Sequence, residues 1–75
     1  MRNVRFYITI VAESEWNSTD AGIFRGLGNF SFANADYEDD HAIYTYDVEY
    51  HEKEDLEKMV ERLENDDNVI SFEYE

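Results

Sequence analysis

The chain has 75 residues, and its six Lys plus Arg against nineteen Asp plus Glu give a net charge of −13. That length supports one hydrophobic core, so a single domain over residues 1–75 is expected. The 43% hydrophobic and 16% aromatic content sets it apart from disordered acidic chains. Cysteine is absent, which excludes disulfide staples and thiolate metal sites; no apolar run reaches signal-peptide or membrane-span length, so a cytoplasmic protein is expected.

The charge is unevenly placed. Residues 1–35 are balanced, Arg2, Arg5 and Arg25 facing Glu13, Glu15 and Asp20, whereas residues 36–75 set Lys53, Lys58 and Arg62 against sixteen carboxylates. Phosphate contacts come from Lys and Arg, so this balance argues against direct nucleic-acid binding and against attraction to an anionic membrane.

Val4, Phe6, Ile8, Ile10 and Ala12 alternate with Arg5, Tyr7, Thr9 and Val11, the period of a half-buried strand. Residues 13–20 lack periodicity and read as a loop. A short, irregular helix is expected over about 20–28, capped by Ser18, Thr19 or Asp20 and weakened by Gly22, Gly26 and Gly28, with Ile23, Phe24 and Leu27 on the sheet. Phe30, Phe32 and Asn34 alternate with Ser31, Ala33 and Ala35 as a second strand, and 36–41 form a turn. Ala42, Tyr44, Tyr46, Val48 and Tyr50 alternate with Ile43, Thr45, Asp47 and Glu49 as a third strand. From Glu52 the period changes: Leu56, Met59, Val60 and Leu63 recur at helical spacing, with acids in the first turn. Asn65 to Asn68 stop that helix, Asn being suited to a left-handed C-terminal residue. Ile70, Phe72 and Tyr74 alternate with Val69, Ser71 and Glu73 as the last strand.

The order β-α-β-β-α-β predicts an α+β fold of the ferredoxin-like type, a four-stranded antiparallel sheet with two helices on one face. The other face is mixed, carrying Arg5, Tyr7, Thr9 and Val11 beside Ile43, Thr45, Asp47 and Glu49, and an open sheet edge leaves room for a homodimer. In this arrangement the chain resembles the ACT domain, the regulatory module of amino-acid-responsive enzymes. The resemblance rests on residues 41–75 and on Val4 to Ala12 followed by Asp20-Ala21-Gly22-Ile23, although residues 13–19 are inserted relative to that family. It implies an effector site for a small amino acid at a dimer interface, at Asp20, Gly22 and Ile23.

Catalytic and metal constellations are weak. The acidic turn Asp36, Glu38, Asp39, Asp40 and His41 matches no calcium-loop spacing, and neither His41 nor His51 has a second ligand at zinc-site spacing. No nucleophile lies beside a base and no phosphate-binding glycine loop is complete, so no enzyme, cofactor or metal is expected. Two glycosylation sequons, at Asn17 and Asn29, carry no weight without a secretory signal.

The acidic surface carries the strongest functional signal. Glu38, Asp39, Asp40, Glu54, Asp55, Glu57, Glu61, Glu64, Asp66 and Asp67 are the expected contact residues, with Trp16 as an apolar anchor. Duplex DNA carries one charge per about 1.7 Å of axis, and a rigid carboxylate-rich body offers a basic groove a comparable potential. The charge pattern resembles phage-encoded inhibitors of nucleic-acid-handling machinery, the anti-CRISPR and anti-restriction class. It implies a non-enzymatic inhibitor or adaptor that mimics nucleic acid on a basic nucleic-acid-binding partner in the host cytoplasm. The alternatives are the ACT-like ligand module and an accessory subunit whose charge serves solubility alone.

Overall fold

Alternation places β1 (Arg2–Val11) and β3 (His41–Tyr50) at the centre of the sheet in the computed structural model, which describes residues 2–11 and 23–75. The two strands pair antiparallel over their full length, Arg2 opposite Tyr50 and Val11 opposite His41. Val4, Phe6, Ile8 and Ile10 turn inward together with Ala42, Tyr44, Tyr46, Val48 and Tyr50, and all are buried. β2 (Asn29–Tyr37) adds to β3, and β4 (Val69–Tyr74) adds to β1, giving the antiparallel order β2-β3-β1-β4. With α1 (Lys53–Glu64), the one helix among the described residues, the fold is α+β.

The helix forms where the apolar period becomes 3.6. Met59 and Leu63 lose nearly all their exposure, while Leu56 and Val60 pack at the margin. Burying a side chain of that size contributes about 2 kcal/mol. Glu54 and Asp55 occupy the first turn, where the positive end of the helix dipole favours them.

Among the described residues, the segment expected to hold the first helix departs from expectation. Residues 20–22 lie outside the described part, and 23–27 form turns, with Leu27 N–H donating to Phe24 C=O at 3.1 Å. The glycines set this shape rather than weakening a helix. Gly26 has φ +79°, a left-handed conformation, and a Cβ on Gly28 would lie 2.2 Å from the Glu49 carbonyl oxygen. Ile23, Phe24 and Leu27 still reach the core as expected, the Phe24 ring sitting 5.4 Å from Phe6, 5.4 Å from Phe30 and 5.3 Å from Tyr46. Arg62 Nη1 donates to the carbonyls of Ile23 and Arg25, tying this segment to α1.

Two bulges overturn details of the alternation. In β2, Phe32 faces Tyr46 but Asn34 faces Thr45, so Ala33 is the extra residue. Asn34 therefore leaves the face of Phe32, and Ala35 and Tyr37 join it; the strand continues to Tyr37 and narrows the expected turn to 38–40. In β4, Ser71 faces Thr9 and Val69 faces Ile10, so Val69 takes the packed position expected for Ile70, which is 59% exposed. Asn65 is also not left-handed: its φ is −94°.

Candidate functional site

The topology gathers two acidic segments at one end of the sheet. Glu38 N–H donates to the His41 carbonyl at 2.9 Å, closing the β2–β3 turn, and His41 lies opposite Val11. Val11 N–H in turn donates to the Asn68 carbonyl at 3.0 Å, at the corner between α1 and β4. The tip carrying Glu38, Asp39 and Asp40 and the corner carrying Asp66 and Asp67 are thus two strand spacings apart, about 10 Å, with the end of β1 between them.

Local bonding fixes each segment. Asn65 donates through its Nδ2 to Glu61 C=O at 2.9 Å, and Asp66 Oδ1 accepts from Asn68 N–H at 2.9 Å. Asp66 therefore shapes the corner as well as charging it. At the tip, Asp40 Oδ1 lies 2.6 Å from His41 Nδ1, and that contact holds the Asp40 carboxyl below its ordinary 3.8.

The helix adds a ridge. At 100° per residue, Glu54, Glu57, Glu61 and Glu64 fall within about 80° of one another and extend over about 15 Å of axis. All four are exposed, and Glu61 and Glu64 lead directly into the Asp66–Asp67 corner. Asp55 is half-buried and turns to the flank of Arg62, away from the ridge. The structure thus brings Glu38, Asp39, Asp40, Glu61, Glu64, Asp66 and Asp67 to one end. It places Glu57 and Glu54 progressively further along α1 and leaves Asp55 aside. Trp16 lies outside the described residues.

Negative charge also occupies the open face of the sheet, where Asp47, Glu49, Glu73 and Glu75 stand. Arg5 meets Asp47 there in a two-pronged pair, Nε to Oδ1 at 2.7 Å and Nη2 to Oδ2 at 3.1 Å, and Tyr7 O–H donates to Glu75 Oε1 at 2.9 Å. The Arg5 hydrogen bond holds the Asp47 carboxyl below 3.8, and Asp47 pushes the guanidinium up. Among the described residues, ion pairs join Arg5 to Asp47 and His41 to Asp40, and none joins a ridge glutamate to a Lys or Arg.

Sequence reasoning missed an aromatic step beside the tip. Tyr37 is 72% exposed and Phe32 45%, and both lean edge-on against Tyr44, at 6.2 and 6.0 Å between ring centroids. Burial first, then hydrogen bonding with Tyr37, pushes the Tyr44 phenol up. The signal was present in Tyr37 preceding the acidic turn, but the bulge at Ala33 hid which face it would take.

Of the positions that the ACT resemblance indicates, Asp20 and Gly22 lie outside the described residues and Ile23 is a buried core residue. Among the described residues no group of three His, Asp or Glu side chains could hold a metal ion, and no helix is long and apolar enough to cross a membrane. No protein-family model matches the chain, and no curated protein matches it in sequence.

Proposed function

We propose that this protein is a non-catalytic, acidic binding protein that docks on a basic, nucleic-acid-binding partner as a mimic of the phosphate backbone, in the manner of phage-type anti-restriction or anti-CRISPR inhibitors. The fold we assign to it is ferredoxin-like, with the turn segment 23–27 standing where that fold has its first helix. The strand order, with β1 and β3 central, and the packing of Ile23, Phe24 and Leu27 beside α1 support that assignment.

One observation carries the functional reading. The acidic tip and corner converge at the end of the sheet where α1 terminates. The helix dipole is negative there, and stability alone would place cations. Arg62 is the one basic residue of the last turn, against Glu61, Glu64, Asp66 and Asp67 at or just beyond it. Each of these carboxylates opposes the dipole and its neighbours. A cationic partner surface removes that repulsion on contact, which makes docking favourable and fast. Tyr37, exposed beside the tip, supplies an aromatic anchor.

The test is capture of basic nucleic-acid-binding protein from host lysate at about 50 mM and about 200 mM salt. The wild type retains such a protein at low salt and loses it at high salt or on addition of duplex DNA, and E57K/E61K/E64K retains none. Equal retention by wild type and triple variant, or retention indifferent to salt and DNA, refutes the reading.

A further inference from the structure

In a chain one-third charged, residues 26–35, Gly-Leu-Gly-Asn-Phe-Ser-Phe-Ala-Asn-Ala, contain no charged side chain. Most of that run is β2, an edge strand of the sheet: β2 borders β3 on one side and no described strand on the other. Its outer row of backbone N–H and C=O groups is a template for pairing. Proteins blunt such edges with Lys, Pro, inward-pointing charges or short strands. β2 has no Lys, Pro or inward-pointing charge and is nine residues long; among the described residues its protective features are the bulge at Ala33 and Asp36 near its C-terminal end. The opposite edge is built differently. β4 has six residues, is bulged at Ile70, and sits in a stretch holding Asp66, Asp67, Glu73 and Glu75.

Electrostatics selects between these edges. Two copies of a chain at −13 repel wherever carboxylates face carboxylates, and the uncharged 29–35 stretch of the β2 edge is where a second copy can approach with little of that opposition. Phe32, 45% exposed on the same strand, supplies apolar surface to cover. We propose that β2 pairs antiparallel with β2 of a second copy about a two-fold axis, extending the sheet across both copies and leaving the acidic end of each exposed. The interface is one strand edge plus a few side chains, so the dimer is weak and concentration-dependent.

This proposal is independent of what the acidic surface binds, and its salt dependence has the opposite sign: screening strengthens self-association and weakens docking on a cationic partner. Sedimentation equilibrium of the full chain, from about 10 μM to about 1 mM, tests it in low and raised salt. The wild type is expected to show a monomer–dimer equilibrium that tightens with salt. Ser31→Glu and Ala33→Glu, both at exposed positions, each place a carboxylate at the two-fold contact and are expected to weaken association at least about tenfold. Ser71→Glu, exposed on β4, adds the same charge elsewhere and is expected to associate like the wild type. Thermal melts confirm that each variant is folded, and whichever β2 variant is folded decides the matter. A wild type that stays monomeric throughout, a folded β2 variant that dimerises like the wild type, or a Ser71→Glu chain as impaired as the β2 variants overturns the proposal.

Discussion

Gly26 and Gly28 look alike in the sequence and are required for different reasons. At Gly28 an added methyl would sit 2.2 Å from the Glu49 carbonyl oxygen, a backbone atom that cannot move without disturbing β3. Gly28→Ala is therefore expected to destabilise by about 3 kcal/mol. At Gly26 the surrounding space is open and only the left-handed φ of +79° resists substitution, so Gly26→Ala should cost about 1–2 kcal/mol. At about 4–8 °C per kcal/mol for a domain of this size, thermal melts separate the two. The Arg5–Asp47 pair makes a pH prediction. Asp47 is held below its ordinary 3.8 by Arg5, so the pair's contribution is present above that pH and disappears as the carboxyl protonates below it. The melting temperature of the wild type should exceed that of Asp47→Asn at neutral pH and converge on it as the pH falls below the ordinary carboxylate range and the Asp47 carboxyl protonates. A gap that persists in acid would assign the difference to packing.

At the scale of elements, β1, β3 and α1 were legible because period two or period 3.6 runs unbroken through each. β2 and β4 were legible as strands, and in their facing only on one side of a bulge, at Phe30 and Phe32 in β2 and at Phe72 and Tyr74 in β4. A bulge inserts one residue, Ala33 or Ile70, and flips everything on one side of it, with nothing in the residue type to announce it. The glycine-rich stretch was misread for a similar reason: composition shows that a helix would be poor, not that a turn replaces it. The sign of the charges on α1 separates function from stability. Glu61→Lys and Glu64→Lys place cations at the negative end of the dipole and reduce net charge, so each should raise the melting temperature by about 2–4 °C. If these residues form the docking ridge, the same substitutions abolish partner capture. Charge reversal that destabilises the fold would show that the carboxylates serve folding instead.

For the whole molecule, the sequence placed the negative charge in the last forty residues but could not say that the 38–40 tip and the 66–67 corner would share one end. That juxtaposition comes from the sheet order, which sets β1 between them. The same order spreads Asp47, Glu49, Glu73 and Glu75 onto the opposite face, so the acidity is a dense end with further carboxylates on the open face, while the 29–35 edge stays uncharged. Self-repulsion at −13 opposes compaction, and the melting temperature should rise as salt is raised from about 10 mM, where the screening length is about 30 Å, to about 0.1 M, where it is about 10 Å. The central claim is that the acidic end and ridge occupy a surface otherwise used for nucleic acid. Its most direct measurement is competition: displacement of labelled duplex DNA from a heparin-retained fraction of basic bacterial proteins, titrated with wild type and with E57K/E61K/E64K. Displacement by the wild type that falls steeply between about 50 mM and about 200 mM salt, with none by the triple variant, is the predicted result. Equal displacement by both proteins, or none by either at low salt, would contradict it.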